Sequence, residues 1–454
     1  MIERDRAQLN VTSIEWLPEI PREWVTTKVK YCSYVKGRVG WHGLNSIEFS
    51  DEGVHIVTGS DFANGEVGWE ECRRISMERY EEDPLIQLRN EDLLITKDGT
   101  IGKLARVRNL PVKATLNSGV FLVRAIDELY VLDFLYYVLE SKVFGEYVNL
   151  RSSGTTIIHL YQEVFENFQF PLPPLPEQRA IAKFLERETA KIDALVEEQR
   201  KLIKLLKEKR QALITHAVTK GLDPNVKMKD SGIEWLGEMP EHWCIVKLKY
   251  LVDMFGRIGY RGYSIEDIVN EGEGAIVLSP SNIDESGFNL SKTVFLRWEK
   301  YFESPEIMLR PNDILLVKTG WSFGKVAVVS EVGREMTINP QMLLLTNARI
   351  DPRYIVEFLK TDALQARIEM INSGSYMPTM SQANVGELVV CAPPIEESSA
   401  IASFVGVLSD RIDVLLRNVK EAIDVLQERR SALISAAVTG KIDVRDMIDE
   451  EEKG

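Results

Sequence analysis

The chain has 454 residues, enough for two or three domains at roughly 150 residues each. Its 55 Lys+Arg against 69 Asp+Glu give a formal net charge of −14, which argues against a surface coated for nonspecific nucleic-acid binding. With 44% hydrophobic and 27% charged residues it reads as a soluble globular protein, which excludes a mostly disordered or collagen-like chain.

No run of about 18 apolar residues occurs, so no membrane span or membrane partner is expected. The start is charged (Glu3, Arg4, Asp5, Arg6) and no apolar core follows, unlike a signal peptide. Cys32, Cys72, Cys244 and Cys391 form no CxxC pair, and His42, His55, His159, His216 and His242 have no ligand-like spacing. A cytoplasmic protein without a disulfide framework or a structural metal is the expectation.

In chain order the sequence states itself twice. Ile14-Glu15-Trp16-Leu17, then Pro21 and Trp24, returns as Ile233-Glu234-Trp235-Leu236, then Pro240 and Trp243. The segment GRVGWHG at 37–43 returns as GRIGYRG at 256–262, and DLLITKDGTIGK at 92–103 as DILLVKTGWSFGK at 313–325. Ser153-Gly154 matches Ser373-Gly374, Pro173-Pro174 matches Pro393-Pro394, and Ala180-Ile181-Ala182 matches Ala400-Ile401-Ala402. Ala212-Leu213-Ile214 and Ala217-Val218-Thr219 match Ala432-Leu433-Ile434 and Ala437-Val438-Thr439. All blocks keep one order and an offset of about 220 residues, far beyond the 20–50 residue period of solenoids.

Within each copy, roughly 150 residues read as mixed α/β. Short apolar runs at 93–96, 119–123, 314–318 and 342–345 are bounded by Gly, Asp or Asn and read as strands, with helical stretches at 131–139 and 353–359. Prolines 171, 173, 174 and 176, and then 393 and 394, close these regions. A long helix follows in each copy. The first carries Ile192, Leu195, Leu202, Leu206 and Leu213, interrupted by Gln199 and Lys209. The second carries Ile412, Leu415, Val419, Ala422, Leu426 and Leu433, with Arg429 at the place of Lys209. A seam with charged flanks cannot bury itself, so the two helices are expected to pair as an antiparallel coiled coil about a pseudo-twofold axis. About 35 residues at 1.5 Å each give a rod of roughly 50 Å; an oligomerisation coiled coil is the alternative.

The expected division is an N-terminal segment 1–23, a first α/β domain 24–172, a helix 173–220, a linker 221–242 with the repeated IEWL segment, a second α/β domain 243–392, a helix 393–440 and an acidic tail 441–454. The fold class is α+β or mixed α/β in tandem duplication.

The Gly-Lys pairs do not make a phosphate loop. Gly99 stands only three residues before Gly102-Lys103, and Leu104 and Val326 occupy the place of the Ser/Thr that meets Mg²⁺. A hairpin with glycines at positive φ fits better. No nucleophile elbow, paired-carboxylate motif or dinucleotide fingerprint occurs, and no catalytic residues are assigned.

What remains are cations and flat rings at predicted turns, a combination that holds phosphates and reads base edges. The candidate DNA contacts are Arg38, Trp41, His42, Lys97, Thr100 and Lys103 in the first copy. In the second they are Arg257, Tyr260, Arg261, Tyr263, Lys318, Thr319, Trp321, Ser322 and Lys325. Shared positions such as Gly37, Gly40, Gly99 and Gly102 read equally well as scaffold.

On these motifs, together with PPLPEQRAIAKFL at 173–185 and KIDALVEEQRKLIKLLKEKRQALI at 191–214, the chain resembles the specificity (S) subunits of type I restriction–modification systems over essentially its whole length. It departs at 396–399, where Glu-Glu-Ser-Ser replaces Pro-Glu-Gln-Arg. The resemblance implies a non-catalytic subunit with two target-recognition domains, each reading half of a split double-stranded DNA sequence, and paired helices as spacer. It implies as partners methyltransferase subunits, which carry S-adenosylmethionine, and motor–nuclease subunits, which use ATP and Mg²⁺. This subunit itself then holds no cofactor. Divergence between the copies (66–82 has no counterpart) implies an asymmetric target. A tandem adaptor binding proteins through its α/β domains is the alternative. Acidic residues crowd the tail 449–452 and the segment 78–83, whereas Lys201, Lys204, Lys207, Lys209 and Arg210 gather on the first helix. Weak DNA binding by the isolated chain is therefore expected, and tight binding only with partners.

Overall fold

A computed structural model describes residues 2–5, 8–38, 48–111, 113–151, 159–284, 287–330, 333–371 and 379–445. The chain forms two compact units, residues 1–200 with 420–454, and residues 201–419. Two long helices run through both memberships: α1 (Leu175–Lys220) and α2 (Ile395–Val438), of 46 and 44 residues. They exceed the 35 or so residues counted for the rod and nearly fill the expected spans 173–220 and 393–440, with Pro173 and Pro174 left just outside the first helix. Pro176 sits in its first turn, where a missing N–H is tolerated. Among the described residues no helix is long and apolar enough to cross a membrane.

In the first unit a six-stranded sheet is ordered 33–37, 120–125, 93–96, 104–106, 66–67, 62–63. Its central strands are apolar throughout because both faces are covered. Alternation assigns the faces: Leu93, Ile95, Phe121 and Val123 join the core under Leu132–Glu140 and α1, while Leu94, Val120 and Leu122 join a second core with Val57, Ile86 and Leu116. The second unit repeats the plan with a four-stranded sheet ordered 253–255, 342–346, 314–317, 326–328. Ile314, Leu316, Leu343 and Leu345 face one core, and Leu315, Val317, Met342 and Leu344 the other. The register is also repeated, Ile95 opposite Phe121 and Leu316 opposite Leu343.

The copies solve one buried-charge problem differently. In the first unit the buried Asp92 carboxylate receives Arg124 Nε at 2.6 Å and Nη2 at 2.7 Å. In the second, Thr346 stands where Arg124 would be, beside a cavity of about 500 Å³ lined by Arg310, Asp313, Thr346 and Arg353. Burial pushes the Asp313 carboxyl above its ordinary range, partly offset by bonds from the Thr346 hydroxyl and the Arg310 amide. The departure at 396–399 has a simpler outcome. Gln178 Oε1 accepts the Val131 amide at 2.8 Å ahead of Leu132–Glu140, and Ser398 Oγ accepts the Asp351 amide at 3.1 Å ahead of Pro352–Leu359. Different side chains of the long helices thus hold the residue that precedes corresponding helices.

Within each unit the helix segments pair antiparallel. In the first, Ile181, Phe184 and Leu185 share a core with Ile434, Ala437 and Val438, while further along Asp193 receives Arg430 Nε at 2.9 Å. In the second, Ile214, Ala217 and Val218 share a core with Ile401, Ala402 and Val405, and Arg210 Nη1 reaches Asp413 at 2.6 Å. The covered stripe steps alternately by four and three residues. On α1 it is Leu185, Thr189, Ile192, Val196 and Gln199 in the first unit, then Ile203, Leu206, Arg210, Leu213 and Ala217 in the second. On α2 it is Val405, Ser409, Ile412, Leu416 and Val419 in the second unit, then Ile423, Leu426, Arg430, Leu433 and Ala437 in the first. Leu195, Leu202 and Leu415 lie outside it, 45%, 40% and 47% exposed. From Ile192 a step of four lands on Val196, so choosing the neighbouring leucine turns the stripe by about 100°. Gln199 belongs to the stripe, and Arg210 and Arg430, not Lys209 and Arg429, are its basic members.

The first unit is joined across its ends. Ile2–Glu3 pairs with Ile442–Asp443, after α2 terminates through Gly440 at φ +70°. A Cβ at Gly440 would meet Pro21 Cγ at 2.4 Å, so both backbone and space require glycine there. Arg4 is buried at the join, ion-paired to Glu177 and, at 2.7 Å, to Glu23, while Trp24 Nε1 donates to Glu177 at 2.9 Å. In the second unit the corresponding stretch, 221–230, is continuous chain. Arg4→Met leaves the Glu177 carboxylate buried without its cation and should destabilise the first unit by about 3 kcal/mol. Calorimetry should show that unit's transition lowered and the second unit's unchanged.

Candidate nucleic-acid interface

In each unit a polar loop cluster gathers at one end of the sheets. The strand Leu93–Thr96 turns through Gly99 (φ +69°) and Gly102 (φ +81°) into Leu104–Arg106. Thr96 Oγ1 donates to the Thr100 carbonyl and accepts the Lys103 amide at 2.9 Å, which cinches the turn. The Gly-Lys segment is therefore a hairpin. Lys103 leans across it, Nζ 3.1 Å from the Gly59 carbonyl and 5.8 Å from the Phe62 ring centre. Lys97 Nζ lies 4.9 Å from the Phe121 ring centre, and Thr100 is exposed at the tip.

The second unit repeats this frame with another surface. Gly320 and Gly324 take φ +104° and +82°, one residue more separates them, and Trp321 at the tip is 95% exposed. Ser322 is half-buried and Lys325 exposed. Lys318 is half-buried, and desolvation holds its ammonium below the ordinary lysine range. The Thr319 hydroxyl is bonded to that of Thr379 at 2.6 Å.

The arginines after the first sheet strand of each unit lie beneath these loops. Arg38 Nε donates to the Leu116 carbonyl at 2.8 Å and Nη2 reaches Thr115 Oγ1 at 3.4 Å. Arg257 Nε donates to the Ile338 carbonyl at 3.0 Å, Nη2 to Thr337 Oγ1 at 3.0 Å and Nη1 to the Arg261 carbonyl at 3.3 Å. Both guanidiniums are buried and tie one sheet to the other. Tyr263 packs 5.5 Å from the Arg257 guanidinium carbon, and Arg261 Nη1 pairs with Glu306 at 3.1 Å. Trp41 and His42 lie outside the described residues, as does the side chain of Tyr260.

Sequence reading passed over a third member of the cluster. Thr58–Asp61 and Ser279–Asn282 form matching one-turn caps: Thr58 N bonds Asp61 Oδ2 at 2.7 Å, and Ser279 N bonds Asn282 Oδ1 at 2.9 Å. Ser60 and Ser281 are exposed on them, bonded to Thr58 and Ser279 at 2.7 and 2.8 Å. A Cβ on Gly59 would meet Thr96 Cγ2 at 2.7 Å, so this cap sits directly against the hairpin base. The two-copy offset was its available signal, since it lays TGSD over SPSN.

A duplicated α/β frame, two matched polar loop clusters with different side chains, and helix segments paired within each unit define the class of tandem recognition proteins. Comparison with known proteins places it more closely. The type I restriction modification DNA specificity domain family matches residues 44–205. The type I restriction enzyme MjaVIII specificity subunit of Methanocaldococcus jannaschii is 23% identical over 94% of this chain and 95% of its own. The EcoKI specificity subunit of Escherichia coli K12 is 21% identical over 93% and 90%. Among solved structures, a chain of a type I R-M system superposes with a TM-score of 0.71 at 15% identity, covering 93% of this chain and 99% of that one. The HsdS subunit from Thermoanaerobacter tengcongensis gives 0.53 at 15% identity, covering 93% and 98%. The chain is thus similar over nearly its whole length to specificity subunits of type I restriction–modification systems, and residues 44–205 match their DNA specificity domain.

Arg257→Ala strips bonds from the buried Ile338 carbonyl and Thr337 hydroxyl and should destabilise the second unit by about 2–3 kcal/mol. Arg257→Lys, which lacks the fork, should recover little of this in a thermal melt.

Proposed function

We propose that the chain is the non-catalytic reader of an asymmetric, two-part duplex DNA sequence, one part per unit. The observation that carries this reading is the loop cluster itself. Both units present it on the same hairpin, the same positive-φ glycines and the same one-turn cap, while the outward side chains differ. A shared frame presents phosphate contacts and positions the duplex; divergent side chains discriminate bases. Lys97, Lys103, Lys318 and Lys325 are the cations for the backbone, and Thr100, Trp321, Ser322 and Arg261 stand at the edges where base contacts would form. Arg38 and Arg257 serve as struts beneath them. Two modest contacts on one molecule reinforce each other because the second is intramolecular.

The paired helices set the separation of the two parts, and with it the length of the unread gap. They also dock methyltransferase subunits, which bring S-adenosylmethionine. Motor–nuclease subunits, with ATP and Mg²⁺, join the assembled complex in the cytoplasm. The net charge of −14 fits a chain whose own hold on DNA is slight and whose partners supply further affinity.

Selection from randomised duplex DNA, with the chain copurified with its methyltransferase subunit, should recover a two-part motif with a fixed gap; no enrichment overturns the reading in favour of a protein-binding adaptor. In the same assay, inserting one heptad into both helices should lengthen the gap or abolish binding. An unchanged gap would show that the helices are not the spacer.

A further inference from the structure

Corresponding backbone positions in the two units hold corresponding pairs of side chains that differ in chemistry. In the first unit the Leu160 amide donates to the Lys97 carbonyl at 2.9 Å. This draws residue 159 against residue 98 at the start of the hairpin, and His159 Nδ1 donates to Asp98 Oδ1. In the second unit the Met380 amide donates to the Lys318 carbonyl, also at 2.9 Å, and the residues brought together are Thr379 and Thr319. Each pair joins residues about 60 positions apart and stands beside the lysine and the first glycine of the hairpin. Neither pair is core: the side chains of Asp98 and His159 are 47% and 34% exposed. Tyr161, itself largely exposed, packs edge-to-face with His159, ring centres 4.7 Å apart.

From this juxtaposition we infer that Asp98–His159 in the first unit and Thr319–Thr379 in the second are the specificity-determining pairs at equivalent positions of the two half-sites. The inference rests on the DNA-reading function proposed above and names the side chains that carry the difference. The chemistry of the pairs is distinct. With its Nδ1 proton given to Asp98, the imidazole is locked in orientation and Nε2 is its remaining polar atom. The Asp98 carboxylate is an acceptor only, so it favours a base edge that offers an exocyclic amino group, cytosine N4 before adenine N6. It opposes the carbonyl oxygens of guanine and thymine. The threonine pair carries no charge, donates and accepts, and adds methyl groups that suit the thymine methyl. Holding each pair by an internal hydrogen bond fixes its geometry before DNA arrives, which limits the side-chain entropy lost on binding.

The test uses the complex with its methyltransferase subunit, a randomised duplex library and two double variants, Asp98→Thr/His159→Thr and Thr319→Asp/Thr379→His. The first variant should change the base preference at one position of the first half-site by about tenfold or more and leave the second half-site as in the wild type. The reverse variant should install an amino-bearing base at the corresponding position of the second half-site and leave the first alone. Unaltered preferences in both variants overturn the assignment while the wild-type motif leaves the DNA-reading function standing. Loss of a half-site together with a lowered melting transition of the altered unit assigns the pair to folding and equally overturns it. A wild-type complex that enriches no two-part motif overturns the underlying function, and this assignment with it.

Discussion

The constraint on which the structure depends is the burial of a stripe that no single helix can bury. Side chains spaced alternately by four and three residues cover one face of each long helix, while charged residues and scattered exposed apolar ones share the other faces. An amphipathic helix of that length is stable only against a partner. In each unit the partner segment is remote in sequence: 420–438, from the far end of the chain, for the first, and 201–220, which opens the unit, for the second. The chain thus cannot be understood as two beads in sequence. The core beneath the first sheet is completed by Ile434, Ala437 and Val438, more than 200 residues from the strands they cover.

That arrangement places a demand on the first unit that the second does not meet. Where residues 221–230 supply a covalent passage, the first unit must hold two chain segments together by a short strand pair and one buried guanidinium. Arg4 gathers Glu177, Glu23 and the Trp24 indole, which anchors the start of α1 to the opening segment of the chain. Stability in the two units rests on different kinds of bond although their sheets, cores and caps correspond.

Much of this was legible in the sequence because repetition and period-2 alternation are local properties. The 220-residue offset marked two copies, and runs such as 93–96 and 314–317, apolar at every position, already required strands covered on both faces. The phase of the helix stripe was harder. Leucine type drew attention to Leu195, Leu202 and Leu415, whereas geometry selects Val196, Ile203 and Leu416, and even admits Gln199 and Arg210. Among the loop residues, the sequence showed which side chains are cations but not how deep they lie. Arg38 and Arg257 were read as candidate contacts from residue type at predicted turns, and the fold commits the Nε and Nη2 of each to a backbone carbonyl and a threonine hydroxyl. Asp98 and His159 are 61 residues apart and no local pattern links them; only the return of the chain to the Lys97 carbonyl makes them a pair.

The replacement of Arg124 by Thr346 reaches beyond packing. In the first unit the buried aspartate is bonded by the Arg124 guanidinium; in the second, Asp313 is bonded by the Thr346 hydroxyl and the Arg310 amide, with a smaller pull from the Arg310 charge. A carboxyl whose proton affinity is raised by folding takes up protons more readily in the native state than in the unfolded chain. Its contribution is therefore fully present below the unfolded value of about 4 and is lost as pH rises through the raised folded value. Rising pH therefore weighs on the second unit at Asp313, a position where the Arg124 fork has no counterpart.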